Sequence, residues 1–147
     1  MTPHLRPARP EDALACGTIL SAANACFEWL PKVHSGAEDI AHCGQMIERG
    51  WVTVALHGNR PCAFIARDES VIHAVYVEVA AQRQGIGQAL LHAAMRARAR
   101  LELWTFEANV AAQRFYLRAG FAEVERTDGA GNDEGLPDIR FVWERKR

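Results

Sequence analysis

The chain has 147 residues, 49% of them hydrophobic, which suits one globular domain with enough apolar mass for a core. Its 17 lysines and arginines nearly balance 18 aspartates and glutamates, and the resulting net charge of −1 excludes a surface that gathers nucleic acid or membrane by charge alone. Cys16, Cys26, Cys43 and Cys62 form no C-x-x-C pair and no zinc-finger spacing, which argues against a metal site and a disulfide scaffold and predicts four buried thiols. The first residues, MTPHLRPARPEDAL, carry no apolar leader, and no later stretch has the roughly 18 apolar residues of a membrane span, so a cytoplasmic location is expected.

His4 to Pro7 predicts a short strand. Pro10 suits the first turn of a helix running to about Cys26, with Leu14, Ile19 and Ala22 among its apolar positions. FEWLPKVHSG breaks that helix at Pro31, and Ser35 with Glu38 three residues on forms a capping box for a second helix through Ile40, Cys43 and Ile47 to Gly50. WVTVAL, the turn HGNR and PCAFIA predict a hairpin, and RDES turns the chain into a third strand, VIHAVYVEV. A helix follows from about Gly87 to Arg100, with the arginines of MRARAR on its solvated face. In LELWTF, Leu101, Leu103 and Thr105 then alternate with Glu102, Trp104 and Phe106. Strand, helix, strand over 71–106 makes these two strands parallel in an otherwise antiparallel sheet. AAQRFYLRAGF predicts a short helix stopped by Gly120 with Phe121 behind it, a Schellman-type end, before AEVERT, the polar loop DGAGNDEGLPD and IRFVWE close a second hairpin. The expected fold class is therefore α/β in its α+β form, a single domain over 1–147 whose mixed, mostly antiparallel central sheet is flanked by about four helices.

Gly85 and Gly87 stand two apart where the third strand turns into its helix, although glycine weakens both kinds of element. A dinucleotide fingerprint needs glycine at 90, which is Leu90, and a phosphate loop ending in G-K-[ST] is absent. Two readings remain. Bare backbone N–H groups at a helix N-terminus can cradle an anion such as a pyrophosphate, or the stretch is a tight turn that binds nothing.

Gln82, Gly85 and Gly87, with the strand end Tyr76-Val77 five residues ahead, resemble motif A of the GNAT N-acetyltransferase superfamily, Q/R-x-x-G-x-G/A. The stretch from Asn109 to Phe121 resembles the family's N-x-x-A-x-x-F-Y-x-x-x-G-F, in the family's order and separation. Val79 departs from a proline common at its position, and Ala63 from a glycine common in the third strand. The resemblance implies a GNAT-like fold with a splayed parallel strand pair, and acetyl-CoA as acyl donor. It further implies that the loop Arg83, Gln84, Gly85, Ile86, Gly87, Gln88 grips the pyrophosphate and that the main chain of Val77 and Val79 pairs with the pantetheine arm. Gln82, Asn109 and Tyr116 complete the implied cofactor contacts.

Acetyl transfer to an amine needs a neutral amine, a stabilised oxyanion and a proton for the departing thiolate. By resemblance Tyr116 is the general acid, against the plain reading of a core tyrosine beside Phe115, while Asn109 combines cofactor contact with the N-cap of its helix. A backbone N–H near Val77 is the oxyanion donor. His73 shares a strand face with residues 75 and 77, and an imidazole with an ordinary pKa near ~6.5 accepts a proton at neutral pH, so it is the candidate base beside the reading of a structural histidine.

The resemblance sets the acceptor groove between FEWLPKVHSG and DGAGNDEGLPD. Trp29, His34, Glu134 and Asp138 are its candidate substrate contacts, Glu134 and Asp138 being also a second route to the base, while Asp128 and Asp133 read as turn residues. The loop misses the EF-hand spacing at Ala130, so no metal is expected. The expected function is transfer of an acetyl group from acetyl-CoA to the primary amine of a small amino-bearing acceptor, by direct attack through a tetrahedral intermediate. No nucleic acid or membrane partner is expected, and a homodimer is left open. A protein N-terminal or lysine acetyltransferase and a noncatalytic acyl-CoA sensor are the alternatives; an enzyme acting on aminoacyl-tRNA would carry a more basic surface.

Overall fold

Residues 3–146 are described by a computed structural model of the chain. In chain order the elements are β1 (His4–Pro7), α1 (Ala13–Ala25), α2 (Gly36–Glu48), β2 (Val52–His57), β3 (Arg60–Asp68), β4 (Val71–Val77), α3 (Ile86–Ala97), β5 (Arg100–Phe106), α4 (Val110–Arg118), β6 (Ala122–Thr127) and β7 (Asp138–Glu144). The strands form one sheet in the order β1-β2-β3-β4-β5-β7-β6. Neighbours pair antiparallel except β4 and β5, which are parallel because α3 returns the chain to the same edge between them.

Helices cover both faces of the sheet, and the interior strand β3 is buried almost throughout. On one face α1 and α2 bring Cys16, Ile19, Leu20, Cys43, Met46 and Ile47 against Val54, Phe64 and Ala66. On the other, Leu90 and Leu91 of α3 and Tyr116 of α4 meet Ile65, Leu101, Leu103 and Phe141. A fully buried Leu or Phe in either layer contributes about 1.5–3 kcal/mol. The two helices of the first layer cross very closely at Gly17, where an added Cβ would stand 2.5 Å from the Ile40 Cα, so any side chain there would push α2 off α1.

The local signals for helix ends hold. Ser35 Oγ accepts from the Glu38 N–H at 3.1 Å while Glu38 Oε1 accepts from the Ser35 N–H at 2.9 Å, which closes the capping box. At the end of α4 the Phe121 N–H reaches the Tyr116 carbonyl at 3.0 Å and the Gly120 N–H reaches Leu117 at 3.1 Å, both bonds of a Schellman end.

Several expectations are corrected. The first helix opens as a 3-10 turn over Pro10–Asp12, and α1 proper begins at Ala13. Leu14, at 64% exposure, and Ala22 face solvent: the stripe that meets the sheet runs through Cys16, Ile19 and Leu20, and Leu14 lies on the opposite side of the helix. Cys26 is exposed at the C-cap of α1, whereas the other three thiols are buried, and burial pushes Cys16 up to about 12 and Cys43 to about 11, leaving both unreactive. α3 stops at Ala97 rather than Arg100, with Arg145 donating to the carbonyls of Met95, Arg96 and Arg98 beyond its last turn.

One buried ion pair gave no sequence signal. Asp12 is 5% exposed and takes both Arg6 guanidinium nitrogens at 2.7 and 3.2 Å, tying β1 to the start of α1, and the hydrogen bond from Arg6 holds the carboxyl below its usual range. Among the described residues no helix is long and apolar enough to cross a membrane, and no three His, Cys, Asp or Glu side chains gather as metal ligands would.

Candidate active site

β4 and β5 pair for only two residues, Val71 with Glu102 and Ile72 with Leu103, and then part, although β4 runs on to Val77 and β5 to Phe106. Their outer partners fix what faces the resulting gap. The Glu78 N–H bonds the Cys62 carbonyl on the β3 side, so by the alternation of an antiparallel ladder Tyr76 also points its main chain at β3, and Val75 and Val77 turn theirs toward β5. The Glu107 N–H bonds the Pro137 carbonyl, so across the gap Trp104 and Phe106 turn theirs toward β4. Two strand edges that no longer pair with each other thus form the walls of a wedge, the arrangement an extended amide-bearing chain can enter by strand-like pairing.

The wedge opens beside the glycine loop. After Val77 the chain makes a 3-10 turn over Val79–Ala81, and the Gln82 side-chain amide folds back to donate to the Val77 carbonyl at 3.2 Å, bracing the turn. Arg83 (φ 65°) and Gly85 (φ 79°) are both left-handed. Residues of this hand swing successive N–H groups to one side and form an anion-binding concavity. The first α3 bond from the loop is Ala89 N–H to Gly85 carbonyl at 3.0 Å, so the N–H groups of Ile86, Gly87 and Gln88 have no partner within the helix and point outward at the positive end of its dipole. A Cβ on Gly85 would enter open space, while one on Gly87 would touch Val77 Cγ2 and Phe115 Cζ at 3.5 Å. Gly85 therefore serves the loop's conformation and Gly87 the close packing of α3 on β4 and α4. Both fit a pyrophosphate held by main chain.

Asn109 caps α4, its Oδ1 accepting from the Ala112 N–H at 3.1 Å. Tyr116, 8% exposed, packs edge-on to Phe115 at 5.2 Å and Phe121 at 5.6 Å. Burial, and then the nearby Tyr76, raises its hydroxyl pKa well above the ordinary phenol. Tyr116 belongs to the α3–α4 layer and Tyr76 to the α1–α2 layer, so the two rings lie on opposite faces of the sheet.

On the α1–α2 side two distant loops meet. Trp29 packs on Phe27 at 4.8 Å and edge-on to Phe106 at 5.7 Å, which pins the α1–α2 loop to the end of β5. Exposed His34 stands 3.8 Å from Glu38 and 3.7 Å from Asp133 of the β6–β7 loop, so the two loops touch beyond the gap. Glu134 is half-buried beside this contact. Asp138 is engaged within its own loop: one carboxylate oxygen accepts from the Thr127 hydroxyl and the other from Asn132 Nδ2 at 3.2 Å.

The sequence model of the acetyltransferase (GNAT) domain matches residues 48–123, more than half of the chain. The chain belongs to the GNAT acetyltransferase family. Among solved structures, a GCN5-related N-acetyltransferase from Rhodopseudomonas palustris superposes with a TM-score of 0.80 at 21% identity, over 98% of this chain and 96% of that one. Ard1 from Thermoplasma volcanium gives 0.79 at 16% identity over the full length of both chains. The yncA structure from Salmonella typhimurium, solved with its cofactor acetyl-CoA, gives 0.75 at 18% identity over 100% of this chain and 96% of that one. No curated protein matches the sequence.

In this GNAT acetyltransferase, an acetyl-CoA-dependent enzyme by family, the expected cofactor residues Val77, Gln82, Arg83, Gln84, Gly85, Ile86, Gly87 and Gln88 do gather at the mouth of the wedge. Val79 has left the strand for the 3-10 turn, so it cannot pair strand-wise as Val77 can. His73 is displaced from the site. A β-bulge sets Ala66 opposite Ala74 and Arg67 opposite Ile72, leaving His73 as the extra residue, so it does not share a face with Val75 and Val77. Its ring stacks on Trp51 at 4.8 Å, four residues and about 13 Å back from Val77. Burial lowers its pKa.

Proposed function

We propose that this enzyme transfers the acetyl group of acetyl-CoA to the primary amine of a small amino-bearing acceptor. The observation that carries the reading is the parting of β4 and β5 directly beside a loop of outward N–H groups. The loop from Arg83 to Gln88 holds the pyrophosphate, Val77 pairs its main chain with the pantetheine arm, and Asn109 keeps its side-chain NH2 for the same ligand while its oxygen caps α4. Bound there, acetyl-CoA supplies an activated thioester carbonyl.

The chain's own groups handle the protons. The Val77 N–H points into the gap and hydrogen-bonds the carbonyl oxygen as it gains charge. Glu134, half-buried on the β6–β7 loop, takes the proton the amine loses, directly or through one water, in place of the displaced His73. Tyr116 keeps its proton across the working pH range because its pKa is raised, and gives it to the sulfur as the new N–C bond forms and the C–S bond breaks. The contacts Trp29–Phe106 and His34–Asp133 narrow the acceptor side, which favours a compact amine over a peptide threaded through a groove. The test is release of free coenzyme A thiol from acetyl-CoA across a panel of small amines and peptide N-termini. Release with small amines is the expected result; release only with peptides would move the acceptor to proteins, and acetyl-CoA binding without release would make the protein a sensor.

A further inference from the structure

Trp104 is left 44% exposed on a strand whose Leu101 and Leu103 are buried. Those two leucines belong to the α3–α4 layer, so by alternation Glu102, Trp104 and Phe106 project from the opposite face, the one that carries the acceptor side of the gap. The α1–α2 core on that face is built on residues of β2, β3 and β4, and it stops short of β5. Pairing of β5 with β4 ends at Leu103, so Trp104 is the first residue of β5 past the paired stretch and stands on the wall of the wedge. Two residues on, about 7 Å along the strand, is Phe106, with Trp29 of the α1–α2 loop edge-on to it at 5.7 Å.

The polar groups beside Trp104 are engaged with one another. Arg140, its register partner on β7, donates from Nε to Glu102 at 2.8 Å and from a terminal nitrogen to Glu125 at 3.4 Å. A ligand lying on this wall therefore meets the flat face of an indole next to a guanidinium, which does not favour a second ammonium group there. Covering the indole removes apolar area from water, and an aromatic ring adds the offset or edge-on contact that rings prefer. We propose that Trp104 is the specificity-determining residue of the acceptor side, its indole receiving an aromatic ring joined by a short alkyl spacer to the amine that is acetylated. This rests on the acetyl-transfer reading above. The spacer and ring fill the distance from the gap beside Phe106 back to Trp104, and Trp29 closes the loop end of the same face. The acceptor class is a primary arylalkylamine.

The test follows thiol release from acetyl-CoA by the full chain with 2-phenylethylamine, ethylamine and 1,4-diaminobutane, with acetyl-CoA affinity measured separately by calorimetry. Wild type should show kcat/KM for 2-phenylethylamine about tenfold or more above both other amines, a comparison that stands even where a variant is unstable. In Trp104→Ala the ratio to ethylamine should fall below about threefold, through a raised KM for 2-phenylethylamine, with acetyl-CoA affinity within about twofold because the β5 main chain is kept. Trp104→Phe retains an aromatic face and should restore most of the preference. A wild type that favours 1,4-diaminobutane or shows no preference, or a preference that survives in Trp104→Ala, overturns the proposal while leaving acetyl transfer standing. Wild type that binds acetyl-CoA but releases no thiol with any amine overturns both.

Discussion

The loop from Gln82 to Gln88 and the two loops facing it across the gap serve one reaction, but they are built from different material. The first is backbone: left-handed Arg83 and Gly85, a run of helix-end N–H groups, and one side chain, Gln82, folded back to brace it. The second is side chains from segments far apart in sequence, with Trp29 on Phe106 and His34 at Asp133. A ligand common to a whole family is met by main chain, which depends on residue type at only a few positions. A ligand particular to one member is met by side chains, which a short loop can exchange without disturbing the sheet.

The sharpest way to break this division is Tyr116→Phe, which removes the proton donor and nothing else. It should lower kcat by about 100-fold with acetyl-CoA affinity unchanged, checked by steady-state rates beside a binding titration. In wild type the rate should also stay level as pH passes 10, where an ordinary tyrosine would lose its proton, because the folded pKa lies higher. Gln82→Ala comes next: losing the brace on the Val77 carbonyl should weaken acetyl-CoA binding about five- to tenfold and leave the amine KM alone, so a change on the acceptor side would mean the two halves are not separable. The smallest effect belongs to His73→Gln. With its ring stacked on Trp51 away from the gap, kcat/KM and the acidic limb of its pH profile should stay within twofold of wild type, and a flattened limb would restore it as the base.

Local structure was legible because its causes are local. The capping box at Ser35 and Glu38, the Schellman end at Gly120 and the glycine pair each declare themselves within a few residues, and each is present as the spacing requires. The parallel pairing of β4 and β5 followed from the one helix that crosses between them. His73 failed for a reason no spacing reveals: a single-residue bulge shifts the alternation, and everything before it changes face. Asp138 read as a substrate contact, yet Thr127 and Asn132, eleven and six residues away, take both its oxygens. Arg6 and Asp12 carried no pattern linking a strand to the turn that follows it.

The central claim is that the glycine loop is a main-chain cradle for acetyl-CoA. Calorimetric titration of acetyl-CoA into wild type and Gly85→Asp tests it most directly. The new Cβ enters open space, aspartate tolerates the left-handed turn better than most residues, and its carboxylate faces the place a pyrophosphate would occupy. Binding to wild type that weakens at least tenfold in a variant with unchanged circular dichroism is the predicted result. Equal affinity in the two proteins, or none in wild type, would contradict it and leave the glycine pair a turn that binds nothing.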